Sequence, residues 1–428
     1  MKKNLLSLFS GCGGMDIGFE GGFKIPKATI NIDIHNDWIQ SEDDVYYYLK
    51  ETFFETKFAN DISEHARLAW NNYFVKKRSD VGNIFKVGSI VDIVKEYMDG
   101  NKAVFPKNVE IVTGGFPCQD FSVSGKRKGF NSHKDHHGNI INSEIPTEET
   151  RGKLYMWMKE VIEITLPNIF IAENVKGLAN LGEVQKIIQS DFSTINGDGY
   201  LVLPPQVLHA GQFGVPQSRE RIIFIGFKKS ALTKEALAML SKKTIPEKYT
   251  PYPVATHRLN GEMYYSSVEQ LMKMFTKSRE VLLDLKEPDE ATDLSQMYYS
   301  KAKFMGIHCQ GQKEVELEKL APTIRSEHHG NIEYRRLAVS NGGKKIDELQ
   351  NGYLERRLTL RECARIQTFP DDFDFVIANN ELQTKFTISP SVGYKLVGNA
   401  VPPLLAYHIA KKIEQNWDFY FGKKRIEF

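Results

Sequence analysis

At 428 residues, with 41% hydrophobic and 26% charged side chains, the chain has room for two or three domains of ~150 residues and a sizeable core. Those proportions exclude a disordered chain, a collagen-like fibre and a small disulfide-stapled scaffold. A formal net charge of +2 neither demands nor forbids a polyanionic partner. The four cysteines, Cys12, Cys118, Cys309 and Cys363, form no CxxC pair, which argues against a structural zinc site or a disulfide framework and fits a reducing cytosol.

In chain order, Lys2-Lys3 ahead of an apolar stretch imitates a secretory signal, but Leu5–Phe9 is too short for one and runs straight into glycines. No later apolar run approaches the ~20 residues that span a bilayer. The expectation is a soluble, cytoplasmic protein with no membrane partner. Leu5–Phe9 reads as a short buried strand ending in Gly11-Cys12-Gly13-Gly14, and Lys57–Asn60 as a second, followed by Asp61-Ile62 and a helix over 63–74. Val109–Thr113 is a third, broken by Gly114-Gly115-Phe116-Pro117-Cys118. Leu154, Trp157, Met158, Val161, Ile162 and Thr165 recur at helical spacing, Ile169–Ala172 is a strand that stops at Glu173-Asn174, and Ile222–Phe227 is another. This alternation over 4–227 predicts an α/β fold on a parallel sheet.

From about Lys228 the texture changes. Charged helices are expected over 233–241 and 268–285, among irregular Gly/His/Asn-rich stretches, in a second, smaller domain. Thr359 and Glu362 have capping-box spacing, Arg361 and Arg365 share a helix face, and Cys363 between them suits packing. Gly398–Pro403 reads as a loop with proline at the entrance of an apolar helix over 404–413. The pairs and triplets Lys76–Arg78, Lys126–Lys128, Arg335-Arg336, Arg356-Arg357 and Lys423–Arg425 are expected at the surface, where together they allow a basic cleft.

The glycine turn after the first strand is a nucleotide-type feature, because glycines let a backbone turn sharply and a ligand approach the next helix. The GxGxxG spacing is absent and no phosphate-loop lysine follows, so an adenosyl ligand fits better than ATP. Two acids compete to hold its ribose: Asp33 at the usual ~20-residue offset, and Asp61 at a cleaner strand-to-helix junction. Asp61 is favoured, which makes residues 24–56 an insertion. Cys118, after proline and beyond two glycines at a strand end, suits a thiolate nucleophile. Glu173 ends the next strand, so carboxyl and thiol share a crevice. Gln217, Arg219 and Arg221 alternate ahead of a strand, and a period of two points them the same way, toward a planar polar ligand or a surface ion-pair ladder.

These blocks resemble the DNA cytosine-5 methyltransferases. Phe9-Ser10-Gly11-Cys12-Gly13-Gly14 is similar to the family's cofactor loop, Gly115-Phe116-Pro117-Cys118-Gln119 to its catalytic motif, and Glu173-Asn174-Val175 to its Glu-Asn-Val. Gln217-Ser218-Arg219-Glu220-Arg221, Arg357–Glu362 and Gly398-Asn399-Ala400-Val401-Pro402 follow in the family's order. The unmatched stretch, about 228–350, coincides with the family's variable region. Ser7 and Glu110 replace usual aspartates, and Ser89 replaces the aspartate that contacts the adenine amine.

The resemblance implies a Rossmann-like, S-adenosylmethionine-dependent methyltransferase domain over 1–250, completed by 387–428, and a target-recognition domain over 251–386. It implies attack of Cys118 on C6 of a flipped-out cytosine in a short duplex DNA sequence, with Glu173 on the N3/N4 edge and Arg221 with Arg219 on the O2 edge. The cofactor, leaving as S-adenosylhomocysteine, is expected against Phe9 and Gly11, Cys12, Gly13 and Gly14, with Asp61 on the ribose and Ile62 and Ile90 near the adenine. Pro117, Leu154, Asn399, Ala400 and Val401 complete that site. The polar, basic segment 124–129 suits a loop that closes over DNA. His133, His136 and His137 invite a metal reading, but the family uses none. Family association further implies a restriction–modification setting and a monomer with no stable complex with an endonuclease. Competing readings are an RNA cytosine-5 methyltransferase and, from the glycine loop alone, a dinucleotide-dependent oxidoreductase.

Overall fold

The computed structural model describes residues 2–117, 154–180, 182–196, 199–301, 303–306, 312–326, 333–380, 383 and 385–423. Cys118, the segment 124–129 and the three histidines at 133, 136 and 137 lie outside them.

The elements that position the site are β1 (Lys3–Leu8), α1 (Gly14–Glu20), β2 (Lys24–Pro26), β3 (Ile39–Glu42), β4 (Tyr46–Leu49), β5 (Phe54–Asp61), α2 (Glu64–Phe74), β6 (Phe85–Val87), α3 (Ile90–Met98) and β7 (Ile111–Gly115). They continue with α4 (Leu154–Thr165), β8 (Ile169–Val175), α5 (Gly182–Ser193), β9 (Tyr200–Val202), β10 (Gln206–His209), β11 (Glu220–Lys228) and α6 (Lys234–Leu240). Then come β12 (His257–Arg258), β13 (Lys273–Met274), β14 (Lys313–Glu314), β15 (Glu333–Arg336), β16 (Arg356–Arg357), α7 (Leu360–Ile366), α8 (Pro390–Asn399) and α9 (Pro403–Phe421).

The central sheet runs β10-β11-β8-β7-β1-β5-β6, with β9 also on β11. The five strands from β8 to β6 are parallel, while β11 lies antiparallel to β8. The inner strands β7 and β8 begin as short apolar runs because both faces are covered, while β5 and β6 nearer the edge mix polar and apolar residues. One apolar cluster includes α1, α2 and α9; the other includes α3 and α4, with Phe192 of α5. The chain winds from β1 outward through β5 and β6, then returns to the other side of β1 with β7 and β8. The strand order therefore reverses between β1 and β7, and the crevice beyond their C-terminal ends is where open α/β sheets hold ligands.

Two expectations change. Residues 268–285 do not form one helix: β13 pairs with β12, and only Arg279–Leu282 is α-helical. Strand pairing of Lys273 and Met274, and the hydroxyl-bearing Thr276 and Ser278 that follow, interrupt a helix there. The arginine pairs are buried rather than exposed: Arg335, Arg336, Arg356 and Arg357 are 7%, 1%, 6% and 5% exposed. Carboxylates pair with Arg335, Arg336 and Arg356, while Arg357 lies over the Tyr394 ring. Glu287 and Glu348 each lie 2.7 Å from Arg336, and Glu287 and Glu362 each 2.8 Å from Arg356.

Residues 24–49 contain a three-stranded antiparallel sheet, β2-β4-β3, outside the main sheet. Asp33 sits in this insertion, in a four-residue helix, whereas Asp61 ends β5 beside β1. That geometry separates the two acids: only Asp61 is at the crevice.

Candidate active site at the strand ends

The cofactor-type loop begins where β1 leaves the sheet. Phe9, Gly11 and Gly13 have φ of 52°, 54° and 89°. Positive φ is costly for Phe9 and free for glycine, so the loop stores strain in its one bulky member. A Cβ on Gly13 would meet Trp70 Cδ1 at 2.6 Å, and one on Gly14 would meet the Val401 carbonyl at 2.3 Å. The loop is thus pressed between α2 and the Ala400-Val401 turn, which brings the sequence-distant first and last blocks together.

Beneath it lies a polar group that pattern reasoning missed. Asp16, in the first turn of α1, accepts from Ser7 Oγ at 2.6 Å and from Trp70 Nε1 at 2.8 Å. The aspartate lacking at position 7 is supplied in space from position 16. Complete burial raises the Asp16 pKa to about 6, against the opposing bonds from Ser7 and Trp70. An acid in the first turn of a helix that follows a glycine loop was the available signal.

Asp61 faces the loop. Its Oδ2 accepts from Gly11 N at 3.0 Å and its Oδ1 from Ser63 N at 2.9 Å, the latter just ahead of α2, where Ser63 is the N-cap. The Ile62 backbone N–H adds a third bond to the carboxylate. Burial raises its pKa, and the bonds from Ser63 and Gly11 oppose the rise. Next to it Ile62 is 50% exposed, an apolar face left open at a strand end, while Ile90 is 2% exposed and packed in the core. A Cβ on Gly11 would meet nothing within 4 Å. An acceptor pair, an open apolar face and open space beside the loop fit the ribose diol and adenine of an adenosyl group. Ile62 can offer its side chain to such a ligand; Ile90 cannot. Cys12 is likewise turned inward, 1% exposed with Sγ 3.6 Å from the Leu396 carbonyl, so only its backbone belongs to the loop. Leu154 is buried at the start of α4, and Asn399 is exposed where α8 ends.

Across the crevice, Glu173 and Arg221 form a buried pair, Oε1 to Nε 2.7 Å. Adjacent antiparallel strands β8 and β11 bring them together. Burial raises the Glu173 pKa, opposed by the charges of Arg221 and Arg219. A Cβ on Gly115 would lie 2.7 Å from Glu173 Oε2, so a larger residue there would displace the carboxylate from its present position. Asn174 Nδ2 donates to the Phe116 carbonyl at 3.1 Å, fixing the backbone one residue before Pro117 and two before Cys118. This is a second role that sequence spacing alone did not disclose.

Arg219 departs from its expected place. β11 begins at Glu220, so the period of two does not extend back over residues 217–219. The Arg219 guanidinium instead donates to the carbonyls of Ile324 at 3.0 Å, Gly398 at 3.1 Å and Ala400 at 2.8 Å. Gln217 is buried too, bonded to Gln367 and Ile324 N. Arg219 thus ties Ile324 to the block around residues 398–400, Gln217 ties Ile324 to Gln367, and of the two arginines only Arg221 pairs with Glu173. Two cavities of about 510 and 480 Å³ lie around His408 and Tyr252, and none of these crevice residues lines them.

A family model for C-5 cytosine-specific DNA methylases matches residues 3–415. The chain belongs to that family. Over 413 residues it is 28% identical to the Type II methyltransferase M.NgoFVII of Neisseria gonorrhoeae, covering 96% of this chain and 86% of the relative. With M.BsuRI of Bacillus subtilis the identity is 30% over 425 residues, covering 97% and 80%. The crystal structure of the S. pombe Dnmt2 methyltransferase shares the fold, with a TM-score of 0.54 and 16% identity, covering 96% of this chain and 99% of that one. This cytosine-5 methylase is a DNA methyltransferase of the Type II restriction–modification kind, from a family that draws its methyl group from S-adenosylmethionine. Among the described residues of the methylase, no helix is long and apolar enough to cross a membrane, and no cluster of three or more His, Cys, Asp or Glu could hold a metal.

Proposed function

We propose that Cys118, Glu173 and Arg221 perform covalent methylation of one cytosine within a short duplex sequence, on a base flipped out of the helix. Cytosine C5 is a poor nucleophile because the ring is electron-poor. Addition of the Cys118 thiolate to C6 breaks the aromaticity and places electron density on C5. Glu173 donates a proton to N3 as that charge builds, and Arg221 stabilises the O2 edge while holding Glu173 in register. S-adenosylmethionine, when bound, supplies the methyl group that C5 accepts. Loss of the C5 proton to water, return of the N3 proton to Glu173 and breaking of the Cys118–C6 bond then release 5-methylcytosine and the thiolate.

Asp61, Ile62 and the backbone of Gly11–Gly14 hold the cofactor in this reading, with Phe9, Pro117, Leu154, Asn399, Ala400 and Val401 around it. Residues 251–386 serve as the target-recognition domain, and double-stranded DNA is the partner. The observation that carries the reading is the buried Glu173–Arg221 pair, 2.7 Å apart and one hydrogen-bonded backbone link from the Pro117-Cys118 step. Burial raises the Glu173 pKa against the opposing charges of Arg221 and Arg219, the direction that favours the protonated carboxyl that N3 protonation requires. Bisulfite sequencing of DNA from a methylation-free host expressing the protein tests it. The expected result is 5-methylcytosine in one short motif, abolished in Cys118→Ala; unmodified DNA alongside soluble, folded protein would refute it.

A further inference from the structure

Residues 24–49 form a sheet of their own, yet they are tightly seated on the catalytic body; Phe54–Thr56 belong to β5 of the main sheet rather than to the insertion. Trp38 is 2% exposed and packs edge-on against Tyr407 and His408 of α9, at 5.2 and 4.7 Å between ring centroids. Tyr407 Oη donates to the Lys50 carbonyl at 2.9 Å. The opposite side of the insertion grips the variable segment. Asn31, 1% exposed, donates from Nδ2 to the Thr256 carbonyl at 3.0 Å and to the Leu271 carbonyl at 2.8 Å. Its Oδ1 accepts from Asp33 N at 3.2 Å. Both amide protons and the amide oxygen are therefore committed, an arrangement that orients the amide and that a carboxylate could not reproduce.

Thr256 immediately precedes β12, and Leu271 lies two residues before β13. One side chain thus ties down the entrances of both members of a parallel pair, whose register is His257↔Lys273 and Arg258↔Met274. Strands of two residues cannot hold a register by themselves. Further contacts run along the same face. Thr276 Oγ1 donates to the Ala28 carbonyl at 3.0 Å, and Lys273 Nζ lies 3.7 Å from Asp33. Tyr46 Oη donates to Asp371 at 2.6 Å and accepts from Arg365, which also donates to the Val281 carbonyl. The loop joining β12 to β13 carries Met263 and Tyr265, 82% and 88% exposed.

We propose that the insertion is the seat of the DNA-recognition segment, and that Asn31 is the positioning residue that fixes the β12–β13 unit for duplex binding. The proposal rests on residues 251–386 being the target-recognition domain. The test is steady-state methyl transfer to the duplex motif found by bisulfite sequencing, using wild type, Asn31→Asp, Thr276→Val and Thr276→Ser. S-adenosylhomocysteine binding by calorimetry and photo-crosslinking of the same duplex to wild-type protein accompany it. Asn31→Asp is expected to raise KM for DNA roughly tenfold, the loss of two buried hydrogen bonds, while kcat at saturating DNA and S-adenosylhomocysteine affinity stay within about threefold. Thr276→Val should raise KM about threefold and Thr276→Ser should restore it, which keeps the test alive if Asn31→Asp does not fold. An unmoved KM in the folded variants, with wild-type crosslinks inside 251–386, overturns the positioning role alone. KM, kcat and S-adenosylhomocysteine affinity worsening together would also overturn it. Crosslinks confined to other segments would overturn the recognition reading beneath it.

Discussion

The two ends of this molecule solve the burial of charge in opposite ways. At the C-terminal ends of β1, β5 and β8, the acids stand apart, each with a short partner list: Asp16 with Ser7 and Trp70, Asp61 with backbone N–H groups, Glu173 with Arg221. In the variable half, three arginines, Arg335, Arg336 and Arg356, crowd around Glu287, Glu348 and Glu362, and Arg357 lies over the Tyr394 ring at 3.8 Å. The first arrangement leaves carboxyls whose pKa values burial has raised. The second pairs Arg335, Arg336 and Arg356 with carboxylates from distant segments and so ties those segments together. A buried ion-pair network adds little net stability over an apolar core, but it is costly to break, and it specifies which segments meet.

The largest effect separating the two regions is expected from Glu173→Gln. It should lower kcat about 10³-fold, roughly 4 kcal/mol on the barrier, with the thermal midpoint little changed. In the wild type, kcat should also fall as pH rises through the elevated Glu173 pKa, because the proton donor is lost; that limb should flatten in Glu173→Gln. A large drop in stability with kcat intact would place Glu173 with the structural charges instead.

Glu287→Gln should do the reverse. It strips Arg336 and Arg356 of a shared partner and should cost about 3–5 kcal/mol in denaturant unfolding. The sign with pH follows from its pKa: burial raises it, but bonds from Arg356 and Arg336 outweigh this and hold it at about 2, below the ordinary 4.5. Its stabilisation is therefore complete above about pH 4.5 and is lost as pH falls toward 2. Wild type and Glu287→Gln should accordingly converge in stability at low pH. Parallel curves would show that the network does not depend on this carboxylate.

A smaller, purely local effect should come from Thr359→Ala. The capping box at the start of α7 is present as its Thr-x-x-Glu spacing indicates, and its loss should cost about 1 kcal/mol with no change in the pH profile.

The same contrast governs how much was legible in the sequence. Leu5–Leu8, Ile169–Ala172 and Ile222–Phe227 announce themselves as short apolar runs bounded by glycine or polar residues, and the winding order that places Asp61, Phe116-Pro117 and Glu173 at one edge follows from them. β2, β3 and β4 carry no such signal, since their residues are mixed and half exposed. The buried arginines read as surface charge because their partners Glu287, Glu348 and Glu362 lie up to 69 positions away and only the fold brings them near. Arg219 was misread for a related reason: its acceptors are backbone carbonyls, which no side-chain pattern reveals.

The decisive measurement concerns Cys118. Incubated with S-adenosylmethionine and a cognate duplex carrying 5-fluorocytosine at the target, whose C5–F bond cannot be broken to release the enzyme, the protein should form a stable protein–DNA conjugate. Mass spectrometry of its peptides should place the modification on Cys118. Absence of any conjugate from protein that methylates the unfluorinated duplex, or a conjugate through another residue, would contradict the account.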